Sequence, residues 1–347
     1  MSDIIVEDHN HDGIDRRGFL KCMAWAGTGV VCVVEGGILS SRALGALTGA
    51  ATAAGTGSDT GRGAAKGDFS FAQISDSHIG FSKEANKDVV ATLQVAVDKL
   101  NALPDQPDFI IHTGDLSHLS KPEEFDTLAQ VLRGLRVGQV FYVPGEHDVI
   151  NDDGKLYRER FAPASRGGGW FSFDHQGVHF VGLVNVLDLK AGGLGALGRE
   201  QLEWLEADLK GRRGSTPVVV FAHVPLWTVY PEWGWGTEDS GQALGYLKRF
   251  GSVTVLNGHI HQVLQKVEGH VAFHTACSTA FPQPRPGAAP SPGPMKVPEG
   301  ELRGLLGVRD VTFVPGDRTL AVVDSSLAQR GWGQAALAEP ERLSLAG

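Results

Sequence analysis

The chain has 347 residues, of which 42% are hydrophobic and 20% charged, so it is long enough for one large globular domain or two modest ones. Its net charge of −9 argues against a protein that binds nucleic acid through a broad basic surface. Two of its three cysteines, Cys22 and Cys32, lie near the N-terminus, which leaves Cys277 alone and excludes a disulfide framework for the rest of the chain.

The N-terminal segment has the features of a targeting signal. The stretch Asp15-Arg16-Arg17-Gly18-Phe19-Leu20-Lys21 precedes a weakly apolar run rich in small residues, and this order resembles the twin-arginine export signal. The resemblance predicts that residues 1–46 are read by the twin-arginine translocation machinery and that the protein is periplasmic. A membrane-anchoring helix is the alternative, which the glycines and Glu35 disfavour. Residues 47–67, rich in Gly, Ala, Thr and Ser, predict a flexible linker.

From residue 68 onward, short apolar runs alternate with segments whose apolar residues recur at helical spacing. Strands are predicted over 68–74, 109–112, 139–143, 217–221 and 252–256, hairpins over 170–184, 263–275 and 309–323, and helices over 84–103, 121–135, 199–210 and 242–250. The strand–helix–strand order of the first half is typical of a parallel sheet in an α/β protein. The proline-rich residues 281–298 predict an irregular loop, and residues 328–347 a weakly ordered tail.

Five of the predicted strands end in residues that can bind metals. These endings are Asp76-x-His78, Gly114-Asp115, Gly145-Glu146-His147-Asp148, His223 and Gly258-His259-x-His261. Each one alone also fits a turn or a structural histidine, but ligands bind at the carboxyl ends of strands in open α/β sheets. Imidazole and carboxylate groups suit Mn, Fe and Zn, and a surplus of anionic ligands with one able to bridge is what a two-metal site requires.

These motifs, in this order, resemble those of the calcineurin-like metallophosphoesterase superfamily. Their spacing is most similar to its cyclic-nucleotide and glycerophosphodiester phosphodiesterase branch. The resemblance implies a double β-sheet sandwich flanked by helices over residues 68–327. It also implies a binuclear phosphoesterase that acts on a small molecule, with a phosphodiester favoured as substrate. The enzyme would hydrolyse a P–O bond through a hydroxide that bridges two Fe, Mn or Zn ions. A nucleic-acid polymer is not expected as substrate, because the acidic chain lacks a basic track.

The resemblance also implies a role for each ligand position. Asp115 would bridge both metals, and His147 would be the catalytic histidine that binds the phosphate or protonates the leaving oxygen. The remaining ligands would be Asp76, His78 and His261 for the first metal, and Glu146, His223 and His259 for the second.

Two positions depart from the family pattern. Glu146 stands where the family usually has Asn, and the added negative charge predicts tighter binding of the second metal. His118 stands where the family commonly has an acidic or amide residue that orients the catalytic histidine. A neutral His118 ring could accept the same hydrogen bond, and the alternative is that His118 has no role. His118 and Asp148 are therefore expected beside the ligands, without binding a metal themselves.

An aromatic loop follows the strand that ends in His223. Its residues Trp227, Tyr230 and Trp233 are candidates for stacking on a substrate group, and packing onto their own domain is the alternative. Two other functions stay open. The first is a phosphomonoesterase of the same fold, and the second is a non-catalytic metal-binding or ligand-binding relative, which Glu146 and His118 would favour.

Overall fold

The computed structural model describes residues 30–35, 38–43, 68–313 and 320–329. The chain divides into two units, residues 1–62 and 63–347. In the first unit, β1 (Val30–Glu35) pairs with β2 (Ile38–Ala43) in an antiparallel hairpin. The rest of the predicted export signal, all of the predicted linker and the tail beyond Gln329 lie outside the described residues. Among the helices of the described part, none has the length and apolar character needed to cross a membrane.

The second unit contains two mixed β-sheets. The strands of the five-stranded sheet are β3 (Phe69–Ile74), β4 (Phe109–His112), β5 (Val140–Tyr142), β12 (Gly307–Phe313) and β13 (Leu320–Ser326). Those of the six-stranded sheet are β6 (Phe171–His175), β7 (Val178–Gly182), β8 (Val218–Ala222), β9 (Val253–Asn257), β10 (Gln265–Glu268) and β11 (Val271–Thr275). The five-stranded sheet has the order β13-β12-β3-β4-β5, and the six-stranded sheet has the order β10-β11-β9-β8-β7-β6.

Helices connect most of the parallel strands. They are α1 (Val89–Asn101), α2 (Pro122–Leu132), α3 (Lys155–Phe161), α4 (Arg199–Leu209), α5 (Ser240–Leu247) and α6 (Glu299–Leu305). Four of the six were predicted from helical spacing. The two that were missed, α3 and α6, have only seven residues each, which is too short for a clear apolar period.

The two sheets pack face to face over an aromatic core. The ring of Phe71 stacks on that of Phe109 at 5.2 Å and meets the edge of Phe180, from the other sheet, at 5.4 Å. Such aromatic pairs contribute about 0.5–1.5 kcal/mol each beyond the area that they bury. The outer face of the five-stranded sheet is covered by α1 and α2, and that of the six-stranded sheet by α4 and α5. The predicted sandwich of two sheets between helices is therefore confirmed.

The topology brings the predicted ligand motifs to one edge of the sandwich. Strands β3, β4 and β5 run parallel in one sheet, and β7, β8 and β9 run parallel in the other. Parallel strands present their carboxyl ends at the same edge, so the loops that follow β3, β4, β5, β8 and β9 converge there.

Candidate metal centre

The first group of candidate ligands comes from the loops after β3 and β9. The Nε2 atoms of His78 and His261 lie 3.2 Å apart, and Nε2 of His261 lies 3.3 Å from Oδ1 of Asp76. All three side chains are buried. Asp76, His78 and His261 offer ligand atoms within 4.8 Å of one another, so they could hold one metal ion.

The second group comes from the loops after β5, β8 and β9. The carboxylate of Glu146 lies between two imidazoles, with Oε2 at 2.9 Å from Nε2 of His223 and Oε1 at 3.0 Å from Nδ1 of His259. Glu146 lies on a short 3-10 helix, Glu146–Asp148, which three residues separate from the end of β5. These three residues form a second set of ligand atoms that could hold a metal ion.

Asp115 connects the two groups. Its Oδ2 atom lies 3.4 Å from Nε2 of His78, in the first group, and also 3.4 Å from Nε2 of His223, in the second. Its other oxygen, Oδ1, accepts a hydrogen bond from the backbone N–H of His147 at 3.0 Å. A carboxylate held in this way by one oxygen presents the other to both groups.

The backbone at this edge is strained. Asp76, His78, Asp115, His259 and His261 all have positive φ angles, between 42° and 70°, which are uncommon for residues other than glycine. Each such conformation costs about 1–3 kcal/mol, and it persists only where the surrounding structure enforces it. Since these five residues are all candidate ligands, the strain is concentrated where side chains from separate loops must be aimed at common points.

Backbone carbonyls orient the rings of His223 and His261 by hydrogen bonds to the ring nitrogen that faces away from the centre. Nδ1 of His223 donates to the carbonyl of Thr113 at 2.7 Å, and Nδ1 of His261 donates to that of Phe281 at 2.6 Å. Because a carbonyl can only accept, both rings carry their proton on Nδ1 and present Nε2 toward the centre. Hydrogen bonds of this kind fix the tautomer and the ring orientation of metal-binding histidines.

Donor atoms of the second group lie close together without forming hydrogen bonds to one another, which favours a bound metal. Nε2 of His223, Nδ1 of His259 and Oε2 of Glu146 are buried, yet none of them makes a hydrogen bond of acceptable geometry. Buried polar atoms are rarely left without a partner. Their short separations without hydrogen-bond alignment are what atoms aimed at a shared cation would show, and imidazole and carboxylate donors suit Mn, Fe and Zn.

The charges of these residues depend on one another. Burial would raise the pKa of Glu146, but His259 and His223 hold it well below its usual value. Burial lowers the pKa of His223, but Asp115 and Glu146 raise it well above its usual value. Burial and the neighbouring His147 lower the pKa of His78 well below its usual value, which keeps that ring neutral. A cation in this centre would replace the proton that the carboxylates favour on His223.

His147 lies at the edge of the centre and faces a cavity. Its Nδ1 atom donates to the backbone carbonyl of His118 at 2.7 Å, which leaves Nε2 for a ligand. Burial lowers the pKa of His147, but the carboxylates of Asp115 and Glu146 overcome this and raise it above its usual value.

The interpretation of the His118 side chain as the acceptor for His147 was wrong. The His118 ring stacks on the His147 ring at 4.9 Å, with 16° between their planes, so its nitrogens cannot point at His147 Nδ1. The backbone carbonyl of the same residue accepts the hydrogen bond instead. Burial and the neighbouring His147 lower the pKa of His118 to about 4, so its ring is neutral.

Asp148 holds two ligand-bearing loops together. Its carboxylate accepts hydrogen bonds from the backbone N–H groups of Leu116, Ser117 and Gly145 at 2.8–3.0 Å, and a further one from the Ser117 hydroxyl. Burial and the charge of Asp115 raise the pKa of Asp148 to about 7, against the effect of these donors. Asp148 is not among the residues that line the cavity, and its contacts are to the backbone and side chain of the ligand-bearing loops.

A cavity of about 520 Å³ opens above the candidate ligands. Its walls are mostly apolar and include Phe81, Leu189, Trp233, Trp235, Phe281, Pro292 and Pro294. Of the three aromatic residues predicted to contact substrate, Trp233 lines this cavity. Tyr230 instead supports Trp233 by an edge contact at 5.1 Å. Trp227 is partly buried and packs on Phe273 at 5.2 Å, against the core under the six-stranded sheet, and it does not line this cavity.

Comparison with known families identifies the chain. The pattern of the calcineurin-like phosphoesterase family matches residues 69–263. The chain belongs to this family. The prediction of a hydrolase acting on phosphoric esters is thereby confirmed at the level of the family, and the relatives that the chain matches are named as phosphodiesterases or as phosphatases.

Two curated relatives of this phosphoesterase are phosphodiesterases by name. A 3′,5′-cyclic-nucleotide phosphodiesterase of Nostoc sp. is 27% identical over 220 residues, which cover 61% of this chain and 79% of the relative. The glycerophosphodiester phosphodiesterase GpdQ of Enterobacter lignolyticus is 30% identical over 208 residues, which cover 55% of this chain and 70% of the relative.

Among solved structures, a dimetal phosphatase from Danio rerio superposes with a TM-score of 0.56. The alignment covers 74% of this chain and 95% of that protein, at 16% sequence identity. The likeness shows a shared fold.

Several residues that shape the centre of this phosphoesterase were not found from the sequence. The carbonyls of Thr113, Phe281 and His118 carry no signal in the sequence, because every residue has one. Trp235 lies two residues after Trp233 and could have been included with it. Gln73 is fully buried, and nothing in its place among the alternating residues of the first strand indicated a role.

Proposed function

We propose that this protein is a binuclear metal-dependent phosphodiesterase that acts on small molecules. The observation that carries the proposal is the position of Asp115, whose Oδ2 lies 3.4 Å from a histidine of each ligand group. Asp76, His78 and His261 would hold one metal, Glu146, His223 and His259 the other, and Asp115 both. Bound metals would stabilise charge on the phosphate oxygens and activate a water for attack on phosphorus.

His147 acts as the proton donor in this proposal. Its Nδ1–H is engaged by the His118 carbonyl, so Nε2 is the nitrogen that meets the substrate. The raised pKa of His147 favours the form in which Nε2 also carries a proton. That proton can form a hydrogen bond to a phosphate oxygen or pass to the departing alcohol, which is general acid catalysis.

The charge of Glu146 favours a diester over a monoester. The carboxylates of Asp76, Asp115 and Glu146 face the centre and would offset three of the four positive charges of two divalent cations. The protonated His147 and Lys83, which also lines the cavity, add positive charge. A phosphodiester carries one negative charge, whereas a phosphomonoester carries up to two at neutral pH. Compared with the uncharged Asn that is usual in the family, the carboxylate of Glu146 therefore makes a dianionic substrate less favourable.

The cavity supports the same choice. Its volume of about 520 Å³ leaves room for organic groups on both sides of the phosphate, and Trp233 and Phe281 provide apolar walls for one of them. The two phosphodiesterase relatives agree with a diester substrate.

A paired kinetic assay tests the proposal. The full-length protein, loaded with Mn²⁺, is assayed with bis-p-nitrophenyl phosphate and p-nitrophenyl phosphate, which share a leaving group. We expect kcat/KM to be at least about tenfold higher for the diester, equivalent to about 1.4 kcal/mol of transition-state stabilisation. A preference for the monoester supports the phosphomonoesterase. Turnover of neither ester by protein that binds two metals supports the non-catalytic relative.

We also propose export of the folded protein by the twin-arginine pathway, because paired arginines precede Phe19-Leu20-Lys21. Replacement of Arg16 and Arg17 by lysine preserves the charge of the segment and is expected to retain the protein in the cytoplasm on cell fractionation. Arg42→Lys is the matched control. Periplasmic recovery of the double variant at the level of the control would contradict the proposal.

A further inference from the structure

A fully buried arginine lies behind the metal centre. Arg309, on β12, is 0% exposed, and its guanidinium makes four hydrogen bonds. Two go to the carboxylate of Asp324 on the neighbouring strand β13, at 2.9 and 3.0 Å. A third reaches the carbonyl of Thr275, which ends β11 in the other sheet, at 2.7 Å. Arg309 therefore joins the two sheets. Both it and Asp324 lie beyond residues 69–263, where the family pattern matches.

The fourth hydrogen bond leads toward the metal centre. Nη1 of Arg309 donates to Oε1 of Gln73 at 3.0 Å, and Gln73 lies directly opposite Arg309 in the pairing of β3 with β12. This contact fixes which end of the Gln73 amide is the acceptor. The amide nitrogen then points the other way and donates to the hydroxyl of Thr113 at 3.0 Å and to the carbonyl of Asn257 at 3.3 Å.

Both acceptors directly precede ligand-bearing loops. Thr113 is followed by Gly114 and Asp115, and its carbonyl is the one that orients His223. Its hydroxyl also donates to Ser75, the residue before Asp76, at 2.7 Å.

Asn257, in turn, is followed by Gly258 and His259. Its side-chain amide donates to the carbonyl of Ala222, the residue before His223, at 2.9 Å. The Gln73 amide thus contacts two residues, Thr113 and Asn257, that directly precede the loops of Asp115 and His259. Through their own hydrogen bonds to Ser75 and Ala222, these two residues also reach the segments before Asp76 and His223.

We infer that Arg309 and Gln73 are positioning residues that set the spacing of the two ligand groups, so that the C-terminal hairpin of β12 and β13 is part of the metal centre's support. This inference rests on the proposed metal centre. Even a fully buried ion pair can often be replaced by apolar residues of similar volume without loss of stability, and Asp324 is partly exposed, so stability alone is a weak reason for the buried Arg309. Planar, forked hydrogen bonding is what arginine provides and an apolar residue cannot.

The test compares metal affinity with stability in three variants of the full chain. Gln73→Met removes the link to the ligand loops and leaves the Arg309–Asp324 pair intact. Arg309→Met removes all four guanidinium hydrogen bonds, including the one that orients the Gln73 amide. Val311→Ala is the matched control, because Val311 is 0% exposed, lies on the same strand two residues from Arg309, and packs in the core between the sheets. Each is measured by Mn²⁺ titration calorimetry and by urea unfolding of the metal-free protein.

We expect Gln73→Met and Arg309→Met to weaken Mn²⁺ binding by at least about tenfold, the usual lower limit for loss of groups that orient metal ligands. Val311→Ala is expected to lower stability and leave Mn²⁺ affinity within about twofold of the wild type, which separates positioning from a general loss of stability.

If folded Gln73→Met binds Mn²⁺ as tightly as Val311→Ala does, the inference is overturned and the proposed function stays intact. Wild-type protein that binds no Mn²⁺ would instead refute the proposed function itself. Should Arg309→Met fail to fold, Gln73→Met still decides the matter, because it creates no unpaired buried charge.

Discussion

A single added methyl group at Gly145 should disable the centre. Gly145 has φ −94° and ψ 177°, a backbone conformation that alanine adopts without strain. A Cβ atom there would nevertheless lie 2.0 Å from Oδ1 of Asp115 and 2.3 Å from its backbone nitrogen. Ordinary contact begins at about 3.4 Å. The two loops must therefore separate by roughly 1 Å, since the backbone nitrogen cannot rotate away as a side chain can.

The cost follows from that displacement. Overpacking of a tightly packed site costs about 1–3 kcal/mol of stability. Misplacement of reacting groups by about 1 Å lowers the rate by roughly 100-fold. We therefore expect Gly145→Ala to fold, to lose about 1–3 kcal/mol in urea unfolding, and to show about 100-fold lower kcat/KM for bis-p-nitrophenyl phosphate.

Gly138→Ala is the matched control, because a Cβ there meets nothing within 4 Å and Gly138 precedes the same strand, β5. Its stability should stay within about 0.5 kcal/mol of the wild type. Equal kcat/KM and equal metal content in the two variants would refute the close packing of the Asp115 and Glu146 loops.

Three further changes test other parts of the centre. Glu146→Asn removes a charge between His223 and His259 and should weaken binding of the second Mn²⁺ by at least about tenfold; an unchanged second step in the titration would discard the role given to this carboxylate. His147→Asn should keep both metals and lower kcat by about 10²–10⁴-fold, so loss of metal would show that His147 is a ligand instead. Burial lowers the pKa of His112 to about 3 from its usual 6.5, so the unfolded chain binds the proton first, and His112 should contribute a loss of stability to the metal-free protein as pH falls below about 6.5. His112→Gln should flatten that dependence in urea unfolding, and an identical slope in the variant would contradict a neutral buried His112.

The elements that the sequence predicted well are those whose apolar residues recur at a clear spacing or whose end is marked by a proline. Helix α1 has its apolar residues on one face and ends before Pro104, and both features are visible in the sequence. The metal-ligand motifs were visible as well, because ligand chemistry restricts a position to few residue types.

The remaining features depend on backbone geometry and on contacts between distant segments. The left-handed conformation of His259 and the histidine-orienting carbonyl of Phe281 have no residue signature. His118 illustrates the limit, since its side chain was expected to orient His147 and its carbonyl does so. Gln73 illustrates another, because the residue pattern of β3 does not show that both faces of the sheet are covered and that this polar side chain is buried.

The number of metal ions bound per chain tests the central claim most directly. Full-length protein is stripped of metal, incubated with excess Mn²⁺, passed through a desalting column, and measured by elemental analysis against protein concentration. Two ligand groups joined by Asp115 predict two metal ions per chain, falling to about one in His223→Ala. A wild-type protein that retains one metal ion or none, and hydrolyses no phosphoester after this loading, would contradict a binuclear phosphodiesterase.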